Sequence, residues 1–290
     1  MVARHTGLDF ESLGTASTPS FRNAECRFKR AAGKTESDLN LARALGVQLA
    51  SFAALGMTPP VSQLPSTGAG VREAVLKDAQ LVTLKTLVDY CWRMGVMVLQ
   101  FSELPKNAKR MHAMATIANG RPAIVVCHKS TEAHLLFDVA HELGHLGLRH
   151  VRDGQSLVDE KIDQDSNDAE EREANAYALC AIIGEPVHLR LREGLRFPDA
   201  KQLAEIGRDA QRDHRIDAGH CVLNYAHTMA RKGGGKPVAF WGTATAALKL
   251  LGVRQDGLSI IREAASEKIE WEELPDDARE FARGLLIDKP

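Results

Sequence analysis

The sequence predicts an α+β fold in which a small β-sheet packs on two helices, with mainly helical segments before and after. Three observations carry this expectation. Two short apolar runs flank Asn119-Gly120 within His112 to Lys129, a hairpin signal because Asn and Gly tolerate positive φ. From Thr131 onward, Leu135, Leu136, Val139, Leu143 and Leu146 recur at helical spacing. Glu170 to Ile183 is apolar on nearly every side beyond its first turn, as a buried helix is.

The remaining elements follow in chain order. Residues 1 to 20, rich in Ser, Thr and Gly, read as a flexible leader without the apolar centre of a secretory signal. A helix is expected from Thr35, where Thr35, Ser37 and Asp38 offer capping oxygens, to Gly56. Met57 to Gly70 holds three prolines and reads as a linker. A single helix is expected over about Val71 to Met94, closed by Gly95, and a strand over 96 to 101. Thr131 supplies the N-cap oxygen of the next helix. The acidic stretch after His150 reads as a solvated loop. Residues 187 to 290 read as mostly helical, broken at Lys232 to Lys236 and at Gly252 to Gly257. The organisation expected is a leader, helix and linker over 1–70, a core over 71–185 and a mainly helical region over 186–290.

Composition narrows the function. The 290 residues carry 37 Lys and Arg against 38 Asp and Glu, a net charge of −1. No long basic stripe favours direct binding to nucleic acid or to an anionic membrane. No apolar run approaches the ~20 residues of a membrane-spanning helix. The five cysteines are widely spaced without a CxxC pair, which suits reduced thiols in a cytoplasmic protein. A chain this long needs no metal staple to fold, so a bound metal would serve function.

The helix from Thr131 carries His141-Glu142-Leu143-Gly144-His145, an H-E-x-x-H. Histidines at i and i+4 project from one helix face, so both imidazoles can meet one cation while Glu142 addresses the water beside it. Zinc suits such donors. It takes imidazole and carboxylate ligands and lowers the pKa of bound water toward ~7. Glu142 is then the expected general base. On this composition the pattern arises by chance in about one such chain in thirty, before any helical context is required.

A hydrolytic zinc site needs a third protein ligand. Glu170-Glu171-Arg172-Glu173-Ala174-Asn175 opens the next buried helix, 26 residues after His145. Glu171 and Asn175 share a face at i and i+4, so Glu171 as ligand would let Asn175 support a ligating side chain. Glu173 is the alternative ligand. Acidic residues also gather at helix N-termini for the dipole alone.

PAIVV, then LLFDVAHELGHLGLRH, then EEREANAYALCAII resembles the ImmA/IrrE family of bacterial zinc metallopeptidases, over roughly residues 72 to 185. The resemblance implies a zincin-like metallopeptidase core. Carried over residue by residue, it implies that His141, His145 and Glu171 are the zinc ligands and Glu142 the general base. It further implies a regulatory protease that inactivates a separately encoded helix-turn-helix repressor or antitoxin of the XRE type, in stress, phage or mobile-element responses. Some members carry that DNA-binding domain themselves, yet residues 1 to 70 show no tri-helical pattern of this kind. The alternative function is a zinc-holding sensor that sequesters a regulator without cutting it.

Other features read more plainly. His150 is expected at the surface, and His188, His214, His220 and His227 receive no role. Tyr177 is expected to pack, and Lys232 to Lys236 to form a flexible loop.

Overall fold

The computed structural model describes residues 26–29, 40–101, 111–159, 162, 164, 166, 168–185, 198–232 and 237–286. The leader, the capping residues Thr35 to Asp38, His188 and residues 233–236 lie outside them. The fold is α+β, with ten α-helices and one mixed sheet among the described residues.

The strands are β1 (Cys26–Lys29), β2 (Met97–Gln100), β3 (Ala113–Ala118), β4 (Arg121–Val126) and β5 (Ser156–Asp159), in sheet order β1-β5-β3-β4-β2. The hairpin expected at Asn119-Gly120 joins β3 to β4, pairing Ala118 with Arg121. Both turn residues have positive φ, 52° and 72°, as a two-residue turn matched to strand twist requires. β5 runs antiparallel to β3, whereas β2 and β1 pair in parallel with β4 and β5.

Five helices lie in the first two thirds of the chain: α1 (Asn40–Ala53), α2 (Gly68–Leu76), α3 (Leu84–Arg93), α4 (Glu132–Gly147) and α5 (Ala169–Ile183). Five more follow: α6 (Ala200–His214), α7 (Ala218–Lys232), α8 (Pro237–Leu250), α9 (Leu258–Lys268) and α10 (Asp276–Leu286). None of the described helices is long and apolar enough to cross a membrane.

Two expectations are corrected. The single helix over 71–94 is broken into α2 and α3. Thr83 and Thr86 cap one another reciprocally there: Thr83 Oγ1 accepts from the Thr86 amide at 3.3 Å and Thr86 Oγ1 from the Thr83 amide at 2.8 Å. A new helix therefore starts where continuous periodicity suggested none. The acidic stretch after His150 is also not all loop. Its two adjacent apolar residues, Leu157 and Val158, are buried in β5 after a turn at Gly154, φ 74°.

α4 lies on β3 and β4 and against α5, so it runs through the centre of the molecule. Its N-terminus is pinned from the C-terminal region: the Glu132 amide donates to Arg254 O at 3.0 Å and the Gly257 amide to Ser130 O at 2.9 Å. α5 approaches α4 so closely that a Cβ on Gly144 would sit 3.2 Å from the Ala174 backbone. α6, α7 and α8 bury Leu203, Val222, Tyr225, Ala247 and Leu248 in a second apolar cluster, which Ala133 of α4 joins.

Candidate metal centre

α4 is buried from Leu135 to Gly147, and this includes Asp138, His141, Glu142 and His145. Burying such groups costs several kcal/mol each unless other polar groups compensate them. The compensation is visible around both histidines. Asp168 caps α5, its Oδ1 accepting from the Glu170 and Glu171 amides at 3.0 and 3.2 Å, and so sets the first turn against α4.

That turn delivers Glu171. Its carboxylate oxygens lie 3.3 Å from His141 Nε2 and 3.3 Å from His145 Nε2, and the two Nε2 atoms are 3.0 Å apart. For zinc bonds of about 2.0–2.1 Å, the edge of a ligand tetrahedron is about 3.3–3.4 Å. The three donors are therefore spaced as neighbours around one tetrahedral ion.

The hydrogen bonds behind them fix which nitrogens are free to ligate. His141 Nδ1 donates to Asn175 Oδ1 at 3.0 Å, leaving its Nε2 lone pair turned toward Glu171. His150 Nε2 is 3.1 Å from Glu173 Oε2 and must donate to it, so in its neutral form its Nδ1 accepts from His145 Nδ1 at 2.9 Å. His145 thus also presents a lone pair on Nε2. Two imidazole lone pairs and a carboxylate directed at one point make a donor set for a cation, with each histidine oriented from behind.

Burial alone would push the Glu171 carboxyl up. Were the facing imidazoles protonated at Nε2, their hydrogen bonds and positive charge would outweigh burial and hold it well below the usual carboxylate range. Glu142, next to His141 on the same helix, is fully buried. Burial, reinforced by the negative charge of Glu142, pushes the Cys127 thiol at the end of β4 well up, so Cys127 is a neutral neighbour of that carboxylate.

The structure thus brings together His141, His145, Glu171 and Asn175, with Glu142 buried on the same helix as the two histidines. Glu173 does not join them and meets His150 instead. His150 corrects the expectation of a surface histidine, because its side chain is only 9% exposed. Arg149 adopts a left-handed conformation, φ 62°, and the His150 amide returns to His145 O at 2.9 Å. That reversal carries the ring back to the site, and no spacing rule signals it. Tyr177 packs as expected, its hydroxyl donating to Pro65 O at 2.8 Å. His220 lies deeper than a residue without a role suggests: it is buried and stacks on Phe137 at 6.0 Å, and Phe137 in turn neighbours His141.

Residues 91–205 match the family model of the IrrE N-terminal-like domain, Peptidase_M78, a span that takes in β2 to β5, α4 and α5. This supports assignment to the ImmA/IrrE family and implies a metallopeptidase-type function. No curated protein and no solved structure gives a significant match to the chain.

Proposed function

We propose, from the premise of a Peptidase_M78 domain, that this protein is a zinc-dependent endopeptidase with a zincin-like core over residues 71–185. The observation that carries the reading is the convergence of His141, His145 and Glu171 within one tetrahedral edge of each other, with Glu142 on the same helix. These three residues would hold zinc, which supplies Lewis acidity toward the scissile carbonyl and acidifies water. Glu142 takes the proton of the attacking water and passes it to the leaving amine. Asn175 and His150 hold the two imidazoles in their ligating tautomers.

The substrate class we favour is a separately encoded helix-turn-helix repressor or antitoxin of the XRE type, met in the cytoplasm. Support comes from the family assignment and from the near-neutral charge, which suits a protein that reaches DNA-bound regulators without binding DNA. Free thiols at Cys91, Cys127, Cys180 and Cys221 fit a reducing compartment.

A zinc-holding sensor that binds a regulator without cutting it is the second reading. It draws on the complete burial of His141, Glu142 and His145. One experiment separates the two. Glu142→Gln should keep the wild-type zinc content, trap the regulator intact and abolish cleavage, whereas His141→Ala should lose zinc from this centre. Full proteolysis by Glu142→Gln would sink the peptidase mechanism. An intact partner after incubation with wild type would favour the sensor.

A further inference from the structure

A second group of donors stands outside this centre. His112 immediately precedes β3, His128 follows β4, and Asp138 projects from α4 one turn before Glu142. The hairpin brings the two histidines to its open end, where their rings stack with centroids 4.1 Å apart and planes inclined by 21°. One donor atom from each of the three residues falls within 4.8 Å of the others.

The hydrogen bonding orients this group as it does the first. His128 Nδ1 lies 3.1 Å from the His112 carbonyl oxygen, which can only accept, so Nδ1 carries the proton. Nε2 of His128 is thereby turned to Asp138 Oδ2 at 3.3 Å, again close to the edge of a zinc tetrahedron. A backbone carbonyl fixing one ring nitrogen while the other faces a carboxylate is the usual setting of a metal-bound histidine. With neutral rings, a lone pair and a carboxylate oxygen face each other and call for a cation between them. A protonated His128 would meet that need as an ion pair.

We infer that His112, His128 and Asp138 form a second site for a divalent transition metal, of which zinc is the natural occupant. Two imidazoles and one carboxylate suit zinc or cobalt rather than the oxygen-seeking magnesium or calcium. Asp138 is buried, while both histidines are partly exposed. The metal would therefore be anchored from the helix and reached from the hairpin side. An ion there ties the open end of β3–β4 to the helix that carries His141, Glu142 and His145, so its occupancy stiffens the support of the first centre.

The test is metal stoichiometry on the full chain, using cobalt alone and then zinc alone added to chelator-treated protein. Wild type should take up two equivalents. His141→Ala together with His145→Ala should keep one, and that one should give a cobalt absorption spectrum in the visible region typical of low coordination number. His112→Asn together with His128→Asn should also keep one. Uptake by wild type of a single equivalent that the folded His141→Ala, His145→Ala protein no longer binds would overturn the second site and identify the group as an imidazolium–carboxylate pair.

If the histidine substitutions fail to fold, histidine nitrogen resonances of wild type provide the same decision. The second equivalent must shift Nε2 of His128, and no shift there overturns the site. Loss of the first equivalent alone would count against the peptidase centre and leave this inference standing.

Discussion

At the scale of single residues, the chain from His145 through His150 to Glu173 carries the most testable consequence. Neither His150 nor Glu173 is one of the three convergent donors, yet together they determine which nitrogen of His145 faces Glu171. His150→Ala should weaken zinc binding at the first centre by about 10- to 100-fold, measured by competition with a chelator, as losses behind metal ligands do. Glu173→Gln should weaken it less, because its amide oxygen still accepts from His150 Nε2. Activity lost with unchanged zinc affinity would contradict a positioning role. The two histidines were legible in the sequence as an i, i+4 pair on one helix face, whereas spacing left Glu171 and Glu173 as alternatives for the carboxylate. His150 was not legible, because its return depends on the left-handed turn at Arg149, a conformation arginine rarely signals. Asp138 and the histidines flanking the hairpin escaped notice for a related reason: they meet only once strand register is known.

At the scale of elements, close helix packing sets the tolerances. A Cβ on Gly68 would fall 1.9 Å from Tyr177 O and 2.8 Å from the Ala181 amide nitrogen, both backbone atoms that cannot step aside. Gly68→Ala should therefore destabilise the protein by about 3 kcal/mol or more, at the upper end of overpacking costs, as measured by denaturant unfolding. A loss below about 1 kcal/mol would show that α2 can lift from α5 at little cost. The elements that sequence periodicity found, β3, β4, α4 and α5, are those whose faces are apolar or whose turn is marked by Asn-Gly. Periodicity failed at Thr83, where helical spacing of Leu81, Leu84 and Leu87 continues across a break made by side-chain caps. It failed again at β5, whose two apolar residues are too short a run to stand out among acids.

At the scale of the whole molecule, the C-terminal helices are bonded to the centre at several points. Arg72 on α2 donates to Ile182 O of α5 and to Arg215 O, 2.9 Å away, at the end of α6. Gln100 of β2 donates to Leu286 O at 2.8 Å. Asp217, whose Oδ1 accepts from the His220 amide at 2.8 Å at the start of α7, is pushed up to about 6, first by burial and then by the nearby Glu132 carboxylate of α4. A carboxyl whose folded pKa exceeds its unfolded value of about 3.9 binds its proton more tightly when folded, so stability falls as pH rises from about 4 to 6. Asp217→Asn should remove that fall, worth about 2 kcal/mol, in thermal unfolding followed across this range; parallel profiles for the two proteins would exclude it.

The sheet order has a kinetic corollary. β3, β4 and α4 are consecutive in the chain and need only a two-residue turn and a short connection to meet. β1 must find β5 across about 130 residues, from Cys26 to Ser156, and loop-closure entropy rises with the logarithm of that separation. The nascent hairpin and helix can therefore place His141 and His145 side by side before α5 supplies Glu171. A metal ion can engage two imidazoles first and draw in the carboxylate last, so that capture of the ion and closure of the α4–α5 interface become one folding event.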